Sequence, residues 1–149
     1  MVAFKKIVCP TDFSEPSLQG LDYAIEMAKL FQAELFVVHV LPVMPASPTD
    51  PNISFSIPEY ERILHKESED KLNDLVKTRV PAAIKATAAI GHGSAAKEIV
   101  RIAEEAKADL IVIATQGHTG WHHLVIGSVA EKVIRHATCP VLAIREKRA

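Results

Sequence analysis

The sequence predicts an α/β fold, an open parallel sheet flanked by helices, and three observations lead there. Residues 35–41 and 110–114 are short, wholly or nearly apolar runs, which is how strands buried on both faces read. Segments with helical periodicity alternate with them, the order of a right-handed βαβ series. Glycine, serine and aspartate gather where strands give way to helices, the end of an open sheet at which ligands bind.

The first strand is expected at 4–10, with Ile7, Val8 and Cys9 as its apolar centre and Pro10 as its stop. Thr11-Asp12-Phe13-Ser14-Glu15-Pro16-Ser17 is then dense in caps and turn formers. Leu18, Leu21, Ile25 and Ala28 recur at helical spacing, predicting a helix from about Glu15 to Phe31 and leaving Asp12 between strand and helix. The second strand is LFVVHVL at 35–41. Residues 42–58 are proline-rich and aperiodic and read as a loop, either a lid or a partner contact. A charged helix at 60–78 carries Ile63, Leu64, Leu72, Leu75 and Val76 and suits the outer flank of the sheet. The alanine-rich 81–90 stretch suits an edge strand.

Residues 91–96, GHGSAA, match the dinucleotide fingerprint G-x-G-x-x-A in form. That fingerprint needs an acid at the end of the next strand to take the ribose hydroxyls, and Thr115 and Gln116 stand there. A tight turn with Ser94 as helix cap explains the same residues. Ile99, Ile102, Ala103 and Ala106 then form the apolar stripe of a third helix.

The chain is organised around residues 110–144. Leu110 to Ala114 reads as the central strand, and Gly117 and Gly127 follow, separated by nine residues. Ser128 with Glu131 forms an S-x-x-E capping box, so a helix is expected to begin at Ser128, with Ala130, Val133, Ile134 and Ala137 facing the sheet. Unpaired N–H groups at the start of that helix, with glycines that let backbone approach closely, suit a phosphate chain. The same residues also read as loop punctuation and a cap. With residues 141–144 as the last strand, the pattern has five strands and four helices.

At 149 residues and 48% hydrophobic composition, one domain over residues 1–149 with one sizeable core is expected. Seventeen basic and eighteen acidic residues, without single-sign runs, argue against nucleic acid or a charged membrane surface as partner. No apolar run is long enough to span a bilayer and no signal-peptide core follows Met1, so a cytoplasmic protein is expected. Cys9 and Cys139 each precede a proline and lack metal or CxxC spacing; both are read as reduced and structural. His118, His122 and His123 crowd the loop beside Trp121 without an acidic or thiol neighbour, so no metal is expected. They are read as donors to a phosphate or as a solvated loop.

Pro10-Thr11-Asp12-Phe13-Ser14 after the first strand, with Gly117-x9-Gly127-Ser128-Val129-x-Glu131 before the last helix, resembles the universal stress protein family. The likeness runs to Cys139-Pro140-Val141-Leu142. It implies a Rossmann-like, open five-stranded parallel sheet of order 3-2-1-4-5 flanked by four helices. It also implies ATP, with or without Mg²⁺, as ligand. Family members that bind ATP carry G-x2-G-x9-G-[S/T]; here Ala114 holds the first glycine's position. By resemblance Asp12 takes the ribose hydroxyls beside Pro10 and Thr11, Val40 meets adenine, and Ile113 and Ala114 lie under the nucleotide. Gly117, Gly127, Ser128 and Val129 would meet the phosphates. A cap for Asp12 and core positions for Val40 and Ile113 are the alternatives without ligand. The resemblance further implies a stress-response sensor or regulatory module and a twofold homodimer through the last strand, 141–144. No Lys or Arg lies between Thr115 and Ser128, so any ATP hydrolysis or self-phosphorylation is expected to be slow and no catalytic residue is assigned. Two readings stand, a nucleotide-binding regulator and an interaction module without nucleotide. A phosphorylated receiver domain fails for want of an aspartate at residues 90–92, and a nucleotidyl transferase for want of His-x-Gly-His near the first strand.

Overall fold

The computed structural model describes residues 2–43, 57–116 and 126–146. Strand β1 (Lys6–Pro10) leads through α1 (Glu15–Phe31) to β2 (Glu34–Leu41), and α2 (Ile57–Arg79) to β3 (Ala86–His92). Then α3 (Ala95–Ala106), β4 (Leu110–Ala114), α4 (Ser128–His136) and β5 (Val141–Ile144) complete the order. The sheet runs β3-β2-β1-β4-β5 with every pair parallel, the expected architecture, and β3 and β5 are its edges.

Side chains alternate across each strand and divide the core in two. Ile7, Cys9, Leu35, Val37, Leu110 and Val112 face α1 and Leu72 of α2. Val8, Val38, Ile111 and Ile113 face α3 and α4, meeting Ile99, Ile102, Ala130 and Val133. Both faces are covered, which is why strands 35–41 and 110–114 lack regular polar alternation. Burying Ile7, Leu35 and Ile111 fully contributes about 1.5–3 kcal/mol each. Asp109, just before β4, accepts the Lys5 and Lys6 N–H groups at 2.8 and 2.9 Å and ties the entry of β4 to that of β1.

Helix α1 begins where expected because Ser14 caps it, its side chain accepting from Ser17 N–H at 3.4 Å. It ends at Gln32 in the left-handed region (φ 53°), whose N–H bonds back to the Ala28 and Lys29 carbonyls. Strand β3 starts later than its composition suggests, since residues 81–84 form a turn closed by Ile84 N–H to Pro81 O at 3.0 Å. It also runs on through Gly91 and His92, which pair with Val40 and Leu41. Helix α2 begins at Ile57, inside the stretch expected to be loop. The rest of that loop, 44–56, lies outside the described residues. On α4 the apolar stripe is narrower than its periodicity implies: Ala130 and Val133 are buried but Ile134 is 44% exposed. This helix packs on α3 and the edge strand β5, so its far flank faces outward. Among the described residues no helix is long and apolar enough to cross a membrane. Cys9 and Cys139 are both free thiols.

Candidate functional site

The strands' carboxyl ends open into a crevice of about 230 Å³, centred where β1 and β4 lie side by side and their connections leave in opposite directions. Pro10, Thr11 and Asp12 form one wall and Val40 of β2 another. Ile113 and Ala114 of β4 border it as well, and Gly127, Ser128 and Val129 at the start of α4 form a further wall. Nine of the ten residues expected to act together therefore border one cavity; the tenth, Gly117, lies outside the described residues, as do His118, Gly120, Trp121, His122 and His123. Among the described residues no group of three or more His, Cys, Asp or Glu side chains is placed to hold a metal.

The β1–α1 wall is held by a closed chain of hydrogen bonds. Phe13 N–H donates to Thr11 Oγ1 at 3.0 Å, Thr11 and Ser17 share a hydroxyl contact at 2.9 Å, and Ser17 Oγ–H donates to Ser14 O at 2.8 Å. Since Ser17's proton points at Ser14, Thr11 is the donor in the shared contact. Asp12 Oδ1 accepts both the N–H and the hydroxyl of Ser14, so this carboxylate is an Asx cap as well as a wall of the crevice. Phe13 adopts φ 65°, a conformation that costs a non-glycine residue about 1–2 kcal/mol. Its ring packs at 4.7 Å from that of His39 and lies under Lys71 Nζ at 4.3 Å, contacts that offset the strain. His39 Nδ1 lies 2.8 Å from Thr11 O; a carbonyl only accepts, so Nδ1 carries the proton.

The α4 wall differs from its sequence pattern. The cap of α4 is Gly127, not Ser128, and no side chain caps the helix. The first bond of the ladder is Glu131 N–H to Gly127 O at 3.0 Å, so the N–H groups of Ser128, Val129 and Ala130 precede it. Glu131 turns away to Arg135 at 2.8 Å rather than closing a capping box. The cause is a backbone neck. Gly127 N–H donates to Thr115 O at 2.6 Å, and a Cβ at 127 would stand 2.9 Å from that oxygen. Only glycine fits there.

Ala114 borders the crevice, yet alternation puts its methyl with Leu110 and Val112 on the α1 face. There its Cβ lies 3.6 Å from the place a Cβ on Gly20 would take. Sequence reasoning missed Val38, His39, Ala95, Ile99, Gln116 and Ala130, all of which border the cavity. Val38 shares Val40's face by the period of two, and His39 is the one polar residue inside LFVVHVL. Ala95 and Ile99 reach the site because α3 packs over β2 and β1 and beside α4.

Residues 3–145 match the family model described as Universal stress protein family. The chain belongs to the universal stress protein family. It is 38% identical to Universal stress protein MJ0531 of Methanocaldococcus jannaschii over 97% of this chain and 84% of that one. Its fold superposes on the solved structure of MJ0577 from the same organism with a TM-score of 0.83, at 29% identity, covering 99% of this universal stress protein and all of the other. A universal stress protein solved in complex with cAMP is similar at 26% identity and a TM-score of 0.64, covering 97% and 98% of the two chains.

Proposed function

We propose that this universal stress protein binds an adenine nucleotide, ATP, in the crevice and acts as a stress-response sensor or regulatory module. The observation that carries the reading is the start of α4. Three backbone N–H groups without a capping side chain, at the positive end of a helix dipole, begin a helix that borders the same cavity as Asp12. Anionic phosphates belong at the first and ribose hydroxyls at the second. The resemblance to a universal stress protein that holds cAMP supports the same class of ligand.

Adenine goes to β2. Thr11 N–H donates to Val38 O, so Val38 presents its peptide groups to β1. By alternation Val40 presents its own on the same side, one pleat beyond the last β1 pair, Pro10 with Val38. One N–H and one C=O there match adenine's N1 acceptor and N6 amino donor. Guanine offers the reverse pattern. Pro10, Thr11, Ile113 and Ala114 shape the floor beneath the base and sugar, and Gly117, Gly127, Ser128 and Val129 take the phosphates. Ala114 does not obstruct them, since its methyl faces Gly20. Mg²⁺ travels with the phosphates as their counter-ion. Among the described residues no Lys or Arg borders the cavity to stabilise transferring charge, and the sequence has none between Thr115 and Ser128, so binding with at most slow turnover is the proposed working state.

We further propose one domain over the whole chain, a cytoplasmic location, and a homodimer through the edge strand Val141–Ile144. Calorimetric titration with ATP and GTP, each with and without Mg²⁺, tests the nucleotide reading. ATP binding with GTP at least about tenfold weaker is expected, the cost of one unmatched hydrogen-bond pair. No ATP binding by folded protein would overturn it in favour of a module that binds protein partners without nucleotide.

A further inference from the structure

On the far rim of the sheet, α2 and the end of β3 bring together two histidines that lie 27 positions apart in sequence. His65 Nδ1 stands 2.9 Å from His92 Nε2, with the ring planes within 11° of each other and the centroids 5.0 Å apart. His92 is exposed and His65 half-buried, so the pair lies at the surface. We propose that His65 and His92 form a two-imidazole site for a divalent transition metal.

The separation suits the chemistry. Two metal–nitrogen bonds of about 2.0–2.1 Å at a right angle span about 2.9 Å, and at a tetrahedral angle about 3.4 Å. In the hydrogen-bonded pair the facing nitrogens aim at each other, so the exposed rings must swing to direct both lone pairs at one ion; a tetragonal ion such as Cu²⁺ then keeps the observed nitrogen spacing, and Zn²⁺ needs it to widen by about 0.4 Å. In the hydrogen-bonded pair one facing nitrogen carries a proton. Metal binding moves that proton to the ring's other nitrogen, so a neutral pair loses none. Glu61 and Glu69 lie one turn to either side of His65 on α2 and add negative potential. Glu98 is not a ligand. Its carboxylate is held by Arg101 at 2.7 and 3.0 Å and by the His92 backbone N–H, which together keep it below its ordinary range. No third ligand is grouped with the pair among the described residues, so water fills the remaining positions.

The site exists only in the folded chain, because α2 must lie against β3 for the two rings to meet. A bound ion thus pins α2 to the rim where Gly91 pairs with Val40 and Leu41 with His92. This inference does not depend on the nucleotide reading.

The test is titration of the full chain with CuCl₂, NiCl₂, ZnCl₂ and MnCl₂, followed by melting temperature and by amide resonances under Cu²⁺. The expected order is Cu²⁺ tightest, Ni²⁺ and Zn²⁺ weaker, and Mn²⁺ without effect. Early paramagnetic broadening is expected around residues 65 and 92, and the folded-state stabilisation should appear in the melts. His65→Ala and His92→Ala should each weaken Cu²⁺ about a hundredfold, the loss of a chelate. Broadening confined to residues 118–123 or around His39 or His136, or Cu²⁺ affinity unchanged in folded His65→Ala and His92→Ala, would overturn the assignment. The broadening pattern on the parent protein decides even if a variant misfolds.

Discussion

Two neighbouring substitutions separate two accounts of how α4 begins. If Ser128 capped the helix, Ser128→Ala would cost about 1 kcal/mol. With the cap at Gly127, Ser128 is an exposed first-turn residue, and the same change should alter stability by less than about 0.5 kcal/mol. Gly127→Ala should behave otherwise. Its new Cβ would stand 2.9 Å from Thr115 O, which also accepts the Gly127 N–H at 2.6 Å. Both partners are backbone, so relief comes only by parting the neck and stretching that hydrogen bond. Overpacking of this kind costs about 1–3 kcal/mol and a weakened hydrogen bond about 0.5–1.5 kcal/mol. The reduced freedom of the unfolded chain returns about 0.4–1 kcal/mol. The net loss is then about 0.5–4 kcal/mol, or a fall in Tm of roughly 1–16 °C for a chain of 149 residues. Urea unfolding and thermal melts measure it, and calorimetry with ATP on the same samples should show binding at least about tenfold weaker as the α4 N–H groups shift. A Gly127→Ala protein as stable and as tight-binding as the parent, or a Ser128→Ala protein that loses about 1 kcal/mol, would refute the reasoning.

Ala114→Gly should leave the ATP dissociation constant within about threefold, because the methyl faces α1, while strand stability falls by about 0.5–1 kcal/mol; a tenfold gain in affinity in calorimetry would show that the methyl does crowd the phosphates. Asp109→Ala strands the Lys5 and Lys6 N–H groups and should cost about 1–3 kcal/mol in urea unfolding. Burial, with Asp22 nearby, pushes the Cys9 thiol up from 9.0 to about 12. A raised folded-state value means that this contribution to stability is complete below pH 9 and drains away as pH climbs towards 12. Unfolding midpoints should therefore decline through that window in the parent and less steeply in Cys9→Ala, and Cys9 should resist alkylation in folded protein at pH 8.

Much of this architecture was legible because it is periodic. Helix α1 and strand β4 have the bounds their patterns predict, since both faces of the sheet are covered and α1 carries a strong cap and a regular stripe. Strand β3 was misplaced by several residues because alanines carry little periodic signal and Pro81 reads as a strand start when it closes a turn. Asp12, Gly117, Gly127 and Ser128 stand out by residue type at strand–helix junctions and the other candidates follow from the family resemblance; nine of the ten border one cavity. The wall supplied by α3 is hidden from the sequence because helix packing leaves no local mark, whereas Val38 follows from Val40 by the period of two.

By itself the sequence determined the order and type of the elements, the glycine at 127 and the absence of Lys and Arg from the 115–128 stretch. These are local properties, set by side-chain period, backbone freedom and charge. Only the tertiary structure decided that Gly127 rather than Ser128 caps α4, that the Ala114 methyl turns towards Gly20, and that His65 meets His92. Each of these depends on pairing between residues distant in the chain, where a one-residue change of register reverses which face a side chain occupies.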